Sequence, residues 1–71
     1  MSDEQILKLF SKNLRKIMKE ENTSQEDLAN AICVNQSMVS RYVSGQSMPS
    51  YPTVIRIADV LFCSLDDFLE E

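Results

Sequence analysis

Apolar residues recur at intervals of three and four along the start of the chain: Ile6, Leu9, Phe10, Leu14, Ile17 and Met18. At about 100° per residue this spacing gathers them on one side, so it predicts an amphipathic helix from about Ser2 to Glu21. Asp3 and Glu4 suit its N-terminal end and Lys19 its C-terminal end, where each charge complements the helix dipole. Asn22 tolerates a left-handed backbone and marks the stop. Ser24 with Asp27 three residues on reads as a capping box, with Asp in place of the usual Glu or Gln, opening a second helix that ends near Ile32. Asn35 is a good N-cap for a third helix, which reaches about Ser44, where Gly45 breaks it. The polar stretch from Gln46 to Ser50 is a loop. Ser50 caps a fourth helix, with Pro52 in the first turn, where a missing N–H costs nothing. Val54, Ile57, Ala58 and Leu61 form its inner stripe. Ser64-Leu65-Asp66-Asp67 reads as another cap, opening a short fifth helix to about Leu69. No segment alternates with period two. The expected fold class is therefore all-α, a compact five-helix domain, single over residues 1–71.

The second and third helices carry a more specific pattern. Ala29, Val34 and Val39 are small or β-branched and lie five residues apart, between a capped start and a glycine. Two short helices crossing steeply at a tight turn need that arrangement. Ala29 lets the second helix approach the first, Val34 plugs the turn, and Val39 anchors the inner face of the third helix. The outer face of the third helix carries Gln36, Ser37, Ser40 and Arg41, side chains able to read base edges in a DNA major groove.

Composition narrows the alternatives. Seventy-one residues make one domain, and a chain of this size buries only about 60% of its unfolded surface. Hydrophobic residues at 44% suffice for one small core, and charged residues at 25% keep it soluble. No run approaches the ~18 apolar residues of a membrane span, and no signal peptide is apparent, so a cytoplasmic location is expected. There is no histidine, and Cys33 and Cys63 fit no metal spacing. They are expected to be reduced, buried thiols acting as small hydrophobes. Nothing supplies a nucleophile–base pair, a metal cluster or a Gly-rich phosphate loop. No enzymatic activity and no cofactor or metal is expected.

The formal net charge of −4 opposes nucleic-acid binding until its distribution is considered. Lys8, Lys12, Arg15, Lys16 and Lys19 are five of the seven cations and lie in residues 1–20. Asp59, Asp66, Asp67, Glu70 and Glu71 occupy residues 57–71, with no cation. Phosphate binding follows the local field, not the total.

The layout resembles the lambda-repressor-like family of helix-turn-helix domains, which contains phage repressors, Cro proteins and restriction-system controller proteins. The residues that carry the resemblance are Ser24-Gln25 before Leu28-Ala29, then Val39-Ser40-Arg41, Gly45 and Pro49, and the Ala58, Leu61, Ser64-Leu65 tail. It covers roughly residues 6–69. The resemblance implies that Gln25, at the start of the second helix, bonds a phosphate, as do Asn35 and Ser44 at the two ends of the third. It implies base reading by Gln36, Ser37, Ser40 and Arg41. Gln can pair bidentately with adenine and Arg with guanine. The Lys12, Arg15, Lys16 and Lys19 face is a further candidate for phosphate contact, or a plain solvated surface.

Three departures from the family pattern matter. Many members carry an arginine where this chain has Met18 and a glutamate where it has Val43, forming a partly buried ion pair. Two apolar groups replace it here, a swap that can be neutral or stabilising, so Met18 and Val43 are expected to touch. Cys33 stands in a turn that usually holds glycine because its φ tends to be positive. Phe62 stands where glycine often ends the fourth helix, so it either closes over the core or lies exposed.

The expected function is a sequence-specific transcriptional regulator, of the phage-repressor or controller type, binding double-stranded DNA as a homodimer on a palindromic operator. One helix reads few base pairs, and two copies about 34 Å apart multiply the readout. The C-terminal region with Phe62, Phe68 and Leu69 is the candidate dimer interface. The alternative is a protein-interaction module of the same fold, antirepressor or antitoxin-like, which the acidic net charge favours modestly.

Overall fold

The computed structural model describes residues 1–71. Four α-helices run Asp3–Glu20 (α1), Gln25–Ile32 (α2), Gln36–Ser44 (α3) and Tyr51–Val60 (α4), followed by a 3-10 segment at Leu65–Leu69. The starts agree with the cap residues. The Ser2 hydroxyl accepts from the Gln5 N–H at 3.2 Å, and the Gln5 side chain accepts from the Ser2 N–H at 2.8 Å. Ser24 and Asp27 form the same reciprocal pair at 3.0 and 3.3 Å. Asn35 accepts from the Met38 N–H at 3.0 Å. Ser50 occupies the N-cap of α4 but caps nothing with its side chain; its hydroxyl is bonded to that of Thr53 at 3.0 Å.

The four helix ends share one geometry. The N–H groups of Thr23, Val34, Gln46 and Cys63 each donate five residues back, to Met18, Ala29, Arg41 and Ala58, at 2.9–3.0 Å. This bond requires a left-handed residue just before its donor. Those residues are Asn22 (φ 56°), Cys33 (φ 61°), Gly45 (φ 78°) and Phe62 (φ 56°). The positive φ expected at Cys33 is thus present.

The expected fifth helix is not an α-helix. Its bond from the Asp67 N–H to the Ser64 carbonyl, 3.2 Å, spans three residues. The carbonyls of Phe68 and Glu70 are held by the buried Asn13 amide at 2.8 and 2.9 Å. Phe68 packs on Phe10 with ring centroids 5.1 Å apart. Tertiary bonds thus fix the segment, and five residues are too few for an α-helix to compete.

The core takes the inward stripes of all four helices, Phe10, Leu14, Leu28, Val39, Ile57 and Leu61 among them, together with Phe68. Met18 is part of this core, and Val43 packs against it. Two expectations are corrected here. Cys33 is exposed, because the left-handed turn points its side chain away from the helices, and Cys63 is half-buried. Phe68 is 1% exposed, so it belongs to the interior and not to a surface interface. Phe62 takes the exposed alternative at 87%. No helix is long and apolar enough to cross a membrane.

Candidate nucleic-acid interface

The turn from Cys33 to Asn35 joins α2 to α3. Ala29 and Val39 are buried between them, and Val34 packs against the core. At about 100° per residue, Gln36, Ser40, Ser44, Ser37 and Arg41 follow one another over an arc of about 140° of α3. All five are exposed. Met38, Val39, Tyr42 and Val43 occupy the rest of the circumference and face the protein, Val39 and Tyr42 fully buried. The outward arc bears no carboxylate. At about 1.5 Å per residue α3 is near 13 Å long, and a major groove about 12 Å wide admits such a helix.

The side chains of this arc differ in how free they are. Arg41 pairs with no acidic group; its guanidinium meets only the Met38 sulfur, at 3.8 Å. Gln36 and Ser40 make no side-chain hydrogen bond within the protein. The Ser37 hydroxyl donates to Asn35 Oδ1 at 2.6 Å, which leaves Ser37 an acceptor towards any ligand. Asn35 Oδ1 is occupied by this bond and by the cap, while its amide N–H groups remain available. The Ser44 hydroxyl lies 3.3 Å from the Arg41 carbonyl. Gln25 opens α2, half-buried, with the unpaired N–H groups of the first turn beside it. Glu26 and Asp27 sit in the same turn and subtract from its positive potential. An anion there is held by hydrogen bonds more than by field.

Lys8, Lys12, Arg15 and Lys19 fall within about 60° on α1 and make a cationic stripe. Lys8 is 3.8 Å from Glu4, the one ion pair in the protein. Arg15 reaches across to α3, where its guanidinium donates to the Val43 carbonyl at 2.6 Å. One turn earlier the buried Ser11 donates its hydroxyl to the Tyr42 carbonyl at 3.0 Å. Ser11 and Arg15 were not singled out for this role by sequence. The available signal was a small polar residue, Ser11, at the edge of the apolar stripe, with an arginine four residues on.

Each side chain named from the sequence therefore lies on α3 or at an end of α2 or α3, and the structure brings Gln36, Ser37, Ser40, Arg41 and Ser44 onto one face. The chain is 32% identical over 62 residues to the uncharacterized HTH-type transcriptional regulator YqaE of Bacillus subtilis (strain 168). That alignment covers 87% of this chain and 53% of the relative, so the chain spans about half of the relative's length. A family model described as helix-turn-helix matches residues 14–68, from the middle of α1 to the end of the core. The chain belongs to the helix-turn-helix family.

Proposed function

We propose that the chain is a sequence-specific DNA-binding transcriptional regulator that lays α3 in the major groove and works in the cytoplasm, with residues 1–71 forming one domain. The observation that carries this is the outward arc of α3: five exposed polar side chains, no carboxylate, and an arginine with no acidic partner. Gln36, Ser37, Ser40 and Arg41 read bases, with Arg41 suited to guanine, Gln36 to adenine, and Ser37 to a base amino group. Gln25, Asn35 and Ser44 hold phosphates on either side, from the start of α2 and the two ends of α3.

The active form is a homodimer on an inverted repeat. Leu69, Met48 and Tyr51 are exposed and line one apolar hollow with Ile6 and Leu65. Phe68 is 1% exposed and belongs to the core beneath this surface. Phe62 borders a different hollow, with Glu20, Glu21, Asp67 and Glu70 around Lys16. A two-fold contact there sets like charges together, so the Leu69 side is the better seat for a second copy.

Selection of binding sites from random duplexes tests the reading. Recovery of an inverted repeat, with binding weakened about tenfold or more but still measurable in Gln36→Ala and Arg41→Ala while the fold and dimer persist, is the expected result. If both variants keep the biological activity, the face serves another protein, and the DNA reading is wrong.

A further inference from the structure

The C-terminal end of α3 is held from outside the helix, and we propose that Ser11 and Arg15 of α1 are positioning residues that set how Arg41 meets its base pair. This rests on the DNA-reading role of α3. The last four carbonyls of a helix lack partners within it. In α3 the Arg41 carbonyl accepts from the Gln46 N–H at 2.9 Å and the Ser47 N–H at 3.3 Å. The Tyr42 carbonyl accepts from Ser11 at 3.0 Å, and the Val43 carbonyl from Arg15 at 2.6 Å. The Tyr42 carbonyl also accepts from the Gly45 N–H at 3.4 Å, so the Val43 carbonyl is the one that α1 alone satisfies. The Arg15 bond is short and charge-assisted, and its positive charge lies at the negative end of the helix dipole.

The other end of α3 is fixed independently, by the Asn35 cap and the turn from α2. Gln36 sits at that end. Arg41 sits in the last turn, next to the carbonyls that α1 holds. Release of the α1 bonds therefore lets the last turn fray and moves Arg41, while Gln36 stays in place. The fit is close. A Cβ on Gly45 would lie 3.3 Å from the Ser11 hydroxyl, so the chain passes α1 with no room to spare. Arg15 is exposed, and its loss leaves the core intact.

A double-mutant cycle on the duplex that wild-type protein enriches from a random pool tests this. Arg15→Ala should weaken binding about tenfold, within what one well-placed base contact supplies. In an Arg41→Ala background the same change should cost almost nothing, and in a Gln36→Ala background the full tenfold, with the salt slope unchanged. Arg15→Met, which keeps the stem, should follow the same pattern. In the free protein, amide exchange of Gln46 and Ser47 should quicken in Arg15→Ala, while that of Val34 stays as it is. Equal losses in both backgrounds, with a salt slope reduced by about 1, would make Arg15 a phosphate contact and overturn the proposal. Unchanged binding or unchanged exchange at Gln46 would overturn it too. If the wild type enriches no duplex, the DNA reading itself falls; an enriched duplex with an additive cycle removes the positioning role alone.

Discussion

Replacing Phe62 by glycine should make the protein more stable, although it removes a large apolar side chain. Phe62 has φ 56° and its ring is 87% exposed. The left-handed conformation is required there because the next N–H, of Cys63, reaches back to the Ala58 carbonyl at 3.0 Å. For a residue with a Cβ that conformation costs about 1–2 kcal/mol. Glycine removes this cost but brings about 0.5–1 kcal/mol of extra unfolded-state entropy. Burial hardly enters, since little of the ring is covered. The net gain is about 0.5–1 kcal/mol, which in a domain this small raises Tm by about 2–8 °C. Thermal unfolding followed by circular dichroism, with urea titration alongside, measures it. Phe62→Ala is the control, because alanine removes the ring and keeps the Cβ; its Tm should stay near that of the wild type. A rise in alanine equal to that in glycine would show that the ring, not the backbone, is the source of the strain, and the reasoning would fail.

Other perturbations probe the core and the thiols. Met18→Arg should cost about 3–5 kcal/mol by burying an unpaired charge, and adding Val43→Glu should recover much of it; strict additivity in urea unfolding would rule out the pairing. Phe68→Ala should cost about 3–5 kcal/mol, enough to unfold most of a domain this small. A folded, merely monomeric Phe68→Ala protein would instead return Phe68 to the dimer surface. Burial, then the nearby Asp67 and Glu21 carboxylates, push the Cys63 thiol above its ordinary pKa. Fewer Cys63 side chains are thiolate at a given pH, so alkylation should be slow near neutrality and rise only at higher pH than for a free thiol. Asp67→Asn should shift that rise to lower pH, and an unmoved profile would discount the carboxylate.

What could be read from the residues was mostly local. The boundaries of α1 to α4 follow from caps, apolar spacing and stop residues, each acting within a turn or two. Those signals sufficed because Ser24, Asn35 and Gly45 act on their own neighbours. The exposed polar face of α3 was legible for the same reason, since its side chains share one short helix. Long-range bonds were not legible. Asn13 lies 55 residues from Phe68, and Arg15 lies 28 from Val43; no periodicity connects such positions. The fifth helix was misread because its own sequence favours a helical start, while its carbonyls are drawn to Asn13. Cys33 was misjudged from composition: a cysteine is usually interior, but at a left-handed turn the backbone decides which way the side chain points. The Ser50 hydroxyl likewise found Thr53 before it found a backbone N–H.

The Asn13 amide gives the chain a property of time as well as of shape. It grips the Phe68 and Glu70 carbonyls, so α1 closes onto residues made 55 and 57 positions after Asn13. Until those residues emerge, Phe10 lacks its aromatic neighbour and the Asn13 side chain has only water to bind. Closure of this core therefore waits in synthesis until the segment through Glu70 has been made.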